Sequence, residues 1–285
     1  MGEVESIEER ISYLVSPTAT HEIHFTLHGF MFLAIDIGNT HITCGVFDGD
    51  RLAVHGKFPT DAAQPPPHYA DALRALFAAS AVAPSDLRGA MVASVVRGAG
   101  QTLREAVRAL AGFDPAEARA DMGLLRVAVP DPERVGIDRL LAGAAAFTGG
   151  GGPVVVADLG TALTVDLVSG EGVFLGGTIA PGLRLCLEAL HLRTSLLPRV
   201  DLSPPASVLG TNTADCIRSG VVYGSAGMVE GLVRRVAACA EGPARTVLTG
   251  GDAPFLSPYL PFPHEIDPHL VLRGMLLAHQ KVSRQ

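Results

Sequence analysis

Apolar runs that stop at a single carboxylate set the rhythm of this chain. Phe32-Leu-Ala-Ile ends at Asp36 and Val154-Val-Val-Ala ends at Asp158, each run having the length of a buried strand. Each is followed by a Gly-containing turn and a second strand. The turn signals Asp48-Gly49 and Ser169-Gly170-Glu171-Gly172 then close both copies as β-hairpins. Helical spacing takes over after the Pro-rich loop at Gln64. Tyr69, Ala72, Leu73, Leu76 and Phe77 fall on one face and predict a helix over His68–Ala79. Ala90–Val96 reads as a short buried strand, and Leu103, Ala106, Val107 and Leu110 align a helix over Gln101–Ala111. Ile137, Leu140, Leu141 and Ala144 make the buried face of another helix, and further helices end at Arg193 and run from about Thr213 to Cys239. Strands followed by helices, twice over, predict an α/β architecture of two lobes. The four-glycine run Gly149–Gly152 is the expected hinge, dividing residues 31–149 from 150–285.

The doubled pattern carries the chemistry. It reads Asp36-Ile-Gly38-Asn39-Thr40 in the first copy and Asp158-Leu-Gly160-Thr161 in the second. A lone Asp-x-Gly after a strand is most simply a turn, because both residues suit turn dihedrals. Its repetition, each time with a Thr close behind the Gly and a hairpin after it, points to more. Such a turn offers free backbone N–H groups to phosphate oxygens, and the carboxylate at the strand end can hold a hard cation.

Charge narrows the partners. The net charge of −7 leaves no basic stripe for nucleic acid. Hydrophobic content of 48% indicates a compact chain, yet no uncharged apolar stretch is long enough to span a bilayer. Lys57 and Lys281 are the only lysines, and neither lies in a GxxxxGK[ST] loop, so Walker-type and protein-kinase phosphate handling are excluded. Phosphate must be held by backbone amides, arginine and metal. The four cysteines (Cys44, Cys186, Cys216, Cys239) lack CxxC spacing and are expected to be buried free thiols of a reducing cytoplasm. Residues 1–30 are acidic, lack a signal-peptide pattern and stop at Met31, so we expect a disordered extension or a start-site artefact. His21, His24 and His28 have no carboxylate or Cys cluster beside them and are not expected to bind metal.

Two helices hold further features. Gly136-Ile137-Asp138-Arg139 opens one of them, with Asp138 in its first turn and off the apolar face. An early Asp stabilises a helix dipole by about 0.3–1 kcal/mol. Beside Arg139 it can also align a hydroxyl. In the long helix, Gly220, Gly224, Gly227 and Gly231 share one face. Each costs about 0.5–1 kcal/mol against alanine, which implies close packing against the lobe's own sheet or a partner subunit.

Strand–turn–hairpin duplication resembles the actin, sugar-kinase and Hsp70 superfamily. The order of Asp36-Ile-Gly-Asn-Thr40, Gly136-Ile-Asp-Arg139, Asp158-Leu-Gly-Thr161 and Gly176-Gly-Thr-Ile-Ala-Pro-Gly182 is similar to that of type III pantothenate kinases. Leu197-Pro198, Gly210-Thr-Asn-Thr213, Thr249-Gly-Gly251 and Asp267-Pro268 extend the match from Met31 to about Ala278. The resemblance implies two lobes with duplicated ribonuclease H-like βββαβ cores and a nucleotide cleft between them. It implies ATP-dependent phosphorylation of pantothenate to 4′-phosphopantothenate by a cytoplasmic homodimer using Mg²⁺ (or another divalent cation) and K⁺ or NH₄⁺. By motif, Asp36, Ile37, Gly38, Asn39, Thr40, His41, Ile42, Thr43 and Thr161 bind ATP, and Asp36 helps to hold Mg²⁺ through water. Gly136, Ile137, Asp138, Arg139 and Thr213 line the pantothenate site, with Asp138 as proton acceptor; Thr213 read structurally is a helix N-cap. Arg139 would meet the substrate carboxylate or a phosphate. Asp158 ligates the monovalent cation, and Thr249-Gly-Gly251 lies under the adenosine. Ile137 replaces a common alanine, and Val129 stands where some members carry a tyrosine whose role therefore does not transfer. Two other readings are a phosphohydrolase of the same superfamily and a non-catalytic regulator. Asp36, Asp138 and Asp158 are all present, which disfavours the regulator.

Overall fold

The computed structural model describes residues 16–17, 30–61, 63–80, 82–96 and 98–283. The strands are β1 (Ser16–Pro17), β2 (Met31–Ile37), β3 (His41–Asp48), β4 (Arg51–Pro59), β5 (Leu87–Ser94), β6 (Ala116–Glu117), β7 (Arg126–Val127), β8 (Val154–Leu159), β9 (Ala162–Val168), β10 (Val173–Pro181), β11 (Arg245–Thr249) and β12 (Glu265–Ile266). The helices are α1 (Pro66–Ala78), α2 (Ala99–Ala111), α3 (Ile137–Thr148), α4 (Leu183–Arg193), α5 (Thr213–Ala237), α6 (Ala253–Leu256) and α7 (Leu270–Val282). They form two compact units. The first takes the described residues through Leu124 with Val135–Leu141 and the chain from Val271; the second takes Leu125–Arg134 and Ala142–Leu270.

The first unit is built on a sheet of order β1-β4-β3-β2-β5-β6. β2–β3 and β3–β4 pair antiparallel, whereas β5 runs parallel to β2 and β6 to β5. Burial of both sheet faces explains why β2 is apolar from Met31 to Ile35. Leu33, Ile35 and Ile37 point into a cluster with Tyr69, Leu73, Leu103 and Val107 of α1 and α2. Phe32 and Ala34 point the other way, into a cluster with Leu141, Leu272, Met275 and Leu276. Asp36 is thus the first residue of the strand free to leave the core. Prolines at the first turn start α1, and Gly112, in the left-handed region at φ 79°, ends α2.

The second unit repeats this plan. Its sheet order is β12-β11-β8-β9-β10-β7, with β8–β9 and β9–β10 antiparallel and β11 parallel to β8. Val155, Ala157 and Leu159 of β8 pack on Leu183, Leu187, Val222 and Val229 of α4 and α5. Two sheets of the same order, each with helix after its third strand and again after its fourth, are duplicated ribonuclease H-like cores, as expected.

Three expectations need correction. The chain passes between units within α3 and near the start of α7, so the glycine run is not the point of division and the C-terminal helix belongs to the first unit. Gly149–Gly152 instead ends α3: Gly151 N–H donates to Phe147 O at 3.1 Å, and both Gly151 and Gly152 have positive φ. Only Cys44 is a buried thiol; Cys186 is half-buried, and Cys216 and Cys239 are exposed. Finally, the glycine face of α5 is not pressed on its own sheet, because a Cβ at Gly220, Gly224 or Gly227 would meet nothing within 4 Å. The expectation for residues 1–30, the three histidines included, falls outside the described residues, apart from the pairing of Ser16–Pro17 with β4 and the exposed Phe30. No helix among the described residues is long and apolar enough to cross a membrane.

His279 of α7 stacks on Phe30 and Phe32, with ring centroids 5.0 and 4.6 Å away. Burial pulls its pKa below the ordinary 6.5, and the same cause acts on His55. The unfolded chain then binds protons that the folded chain refuses, so this contribution is complete above pH 6.5 and is lost as pH falls below it. Melting temperature is expected to drop between about pH 7.5 and 5.5, and the drop to be smaller in His279→Asn. An unchanged slope in that variant would assign the acid sensitivity elsewhere.

Candidate active site

In the first turn, Asp36 faces Thr43 across the β2–β3 ladder and Ile37 faces Ile42, leaving Gly38-Asn39-Thr40-His41 as the connection. Gly38 N–H donates to His41 O at 3.0 Å. Thr60, just past β4, fixes the loop from outside: its hydroxyl donates to Gly38 O at 2.7 Å and its N–H to Thr40 O at 3.0 Å. Asn39 and Thr40 are exposed, and Asp36, His41 and Thr43 are half-buried. Ile37 and Ile42 are fully buried, so only their backbone can serve a ligand. Burial and the neighbouring charge of Asp36 push the Cys44 thiol far up, which keeps it protonated and inert.

The same unit holds the start of α3. Asp138 is half-buried and its Oδ1 accepts the Arg139 N–H at 3.0 Å. That oxygen lies where a Cβ on Gly136 would be, so glycine at 136 is what lets the carboxylate fold back over the helix start. Gly136 O in turn accepts the Arg139 N–H at 3.1 Å. Ile137 packs on the Phe32 cluster, which sets the rotation of the first turn.

In the second unit Asp158 faces Thr164 and Leu159 faces Leu163. The connection is Gly160-Thr161-Ala162, one residue shorter than its counterpart, with Gly160 N–H donating to Ala162 O at 3.1 Å. Two glycines crowd this turn. Gly182, at the start of α4, donates its N–H to Thr161 O at 3.1 Å, and a Cβ there would collide with Gly160 O. Gly250, at φ +88°, leaves no room for a Cβ beside the Asp158 carboxylate and the Leu159 carbonyl. Asp158 thus sits in a cradle of backbone and offers oxygen donors, which suit a hard cation rather than a soft metal. Gly250→Ala combines a collision with a left-handed φ costing about 1–2 kcal/mol. It is expected to lower the melting temperature and to weaken the nucleotide binding expected at this turn together; a variant normal in both would remove the cradle from the site.

Thr213 is exposed on the first turn of α5, but it is not the N-cap. Asn212 is, its side chain accepting the Asp215 N–H at 3.0 Å. Residues 32–235 match the model of the type III pantothenate kinase family. The chain belongs to that family. Full-length relatives agree: a type III pantothenate kinase of Thermus thermophilus is 39% identical over 251 residues, covering 87% of this chain and 98% of its own. That of Acidiphilium cryptum is 38% identical over 248 residues, covering 87% and 93%. A solved Campylobacter jejuni protein, described as a Baf family transcriptional activator, shares the fold. Its TM-score is 0.55 at 20% identity, over 89% of this chain and all of that one.

Among this type III kinase's residues, Asp36 to Thr43, Gly136 and Asp138 to Arg139 lie in one unit, and Asp158, Thr161 and Thr213 in the other. Several contributors carry no signal in the sequence. Thr60 belongs to no motif and is found only through its hydrogen bonds. Thr164 is the true counterpart of Thr43, each opposite its Asp, and the unequal loops hide the match. Gly182 and Gly250 stand inside recognisable motifs, but only the structure shows their purpose, which is to let backbone approach the second turn.

Proposed function

We propose that this chain transfers the γ-phosphoryl group of ATP to the 4′-hydroxyl of pantothenate, the entry step of coenzyme A synthesis. The observation that carries the reading is the Asp138 carboxylate folded over Gly136 at the mouth of α3, in a chain whose duplicated cores each end their first strand at an Asp and a phosphate-type turn. Phosphoryl transfer through a loose transition state asks for positioning and charge neutralisation. The Gly38 and Gly160 N–H groups close their own turns, and the backbone N–H groups of Asn39–Thr40 and of Thr161 hold the phosphates. Asp138 orients the substrate hydroxyl and accepts its proton as the oxygen–phosphorus bond forms, while ADP departs. Thr213 and Arg139 bind the substrate. Asp36, through water, fits a divalent cation and Asp158 a monovalent one; when bound, these ions offset the negative charge of the ATP tail. A coupled ADP-release assay, with and without pantothenate and in potassium and sodium buffers, tests the reading. Release that needs pantothenate supports it; equal release from ATP alone makes the chain a phosphohydrolase.

The same reading includes a cytoplasmic homodimer. The uncovered glycine face of α5, beside an apolar groove lined by Cys186, Leu190, Ile217, Val221 and Met228, supports a second copy as its occupant. Gly224→Arg is expected to keep the fold and shift the mass in light scattering from dimer to monomer; a dimer that persists would move the interface elsewhere.

A further inference from the structure

We infer that Arg184 is a nucleotide-binding residue, aimed at the phosphate tail of ATP by the buried carboxylate of Asp252. The inference rests on the kinase reading above and concerns the second unit alone. Arg184 lies in the first turn of α4, two residues past Gly182, whose backbone is pressed on Gly160 and Thr161. Its Nε donates to Asp252 Oδ1 at 3.2 Å. Asp252 is anchored to the same turn: its N–H donates to Leu159 O at 2.9 Å, and its carbonyl accepts the Leu256 N–H of α6 at 3.0 Å. Both partners are therefore fixed to the Asp158–Thr161 turn, one through Gly182 and the other through Leu159.

The two side chains differ sharply in exposure, 7% for Asp252 against 66% for Arg184. Burying a carboxylate is costly, and an ion pair open on one side returns little stability. The pair makes physical sense as a device that fixes one edge of a guanidinium and leaves its outer nitrogens accessible. A planar fork held in this way is suited to phosphate oxygens. Only Lys57 and Lys281 supply side-chain ammonium groups in the whole chain, and neither belongs to this unit. Arg184 supplies at the second turn a fixed positive charge that the P-loop enzymes take from lysine. Asp252 is its positioning residue.

The test uses the full chain. Arg184→Gln changes an exposed residue and should fold normally. It is expected to raise KM for ATP about tenfold, the scale of one charged hydrogen-bonded contact, with kcat and KM for pantothenate little changed. Direct calorimetric binding of ADP should weaken in parallel and lose part of its salt dependence. Arg184→Lys should recover some of the affinity. Asp252→Ala should also raise KM for ATP, and the double variant should be no worse in KM than Arg184→Gln alone, because the carboxylate acts through the guanidinium. ADP binding within about twofold of the parent chain in Arg184→Gln overturns the inference. So does a rise in KM for pantothenate as large as that for ATP. Failure of the kinase reading shows differently, as a parent chain that binds ADP but never needs pantothenate to release it.

Discussion

Asp138→Asn is expected to leave the fold and ATP affinity almost untouched while kcat falls by about 10²–10⁴-fold, the usual range for a lost general base. The geometry makes the substitution clean. An asparagine Oδ1 can still accept the Arg139 N–H that Asp138 accepts at 3.0 Å, and it occupies the same space over Gly136. What it cannot do is take a proton from a hydroxyl. If Asp138 served only the helix dipole, the change would appear as a loss of about 0.3–1 kcal/mol in stability and not in turnover. The experiment therefore pairs steady-state kinetics with thermal melting. Near-normal turnover with a lowered melting temperature would return Asp138 to a structural role.

Removing the Asp158 carboxylate should have the second large effect. Asp158→Ala is expected to reduce activity strongly and to abolish the potassium dependence proposed above. Sodium should replace potassium poorly in the parent chain, because backbone fixed by Gly182 and Gly250 cannot close fully around a smaller ion. The variant should fold, since β8 keeps its register with both β9 and β11 and the lost side chain lies at the strand's outer end. Equal activity in potassium, sodium and a bulky organic cation would sink the assignment and leave Asp158 a group acting behind the divalent ion.

The elements most legible in the sequence are those whose faces differ in polarity. α1 and α2 fall within two residues of their predicted spans because Tyr69, Leu73, Leu76 and Leu103 mark their buried sides clearly. The two Asp-x-Gly turns are legible because the pattern occurs twice, each time at the end of an apolar run and before a hairpin. What stays hidden depends on long-range contact. The division within α3 is invisible because Leu141 and Ala142 are equally apolar, yet they belong to different units. The four-glycine run reads as a hinge because glycine marks flexibility and helix termination alike. Thr213 reads as a cap because Asn212, an equally good cap, stands beside it. Arg184 and Asp252 are 68 residues apart, and nothing local connects them.

The unequal loops at the two turns record how a duplicated unit diverges. Each Asp faces a Thr across its hairpin, Asp36 with Thr43 and Asp158 with Thr164, although the first connection holds one residue more. A length change confined to the hairpin tip leaves the inward and outward alternation of both strands intact. Asn39 therefore occupies a place where a copy can lengthen without disturbing its interior. Natural selection could specialise one turn and spare the other at that position, giving a single ancestral half two occupations while both halves continued to fold by the same rules.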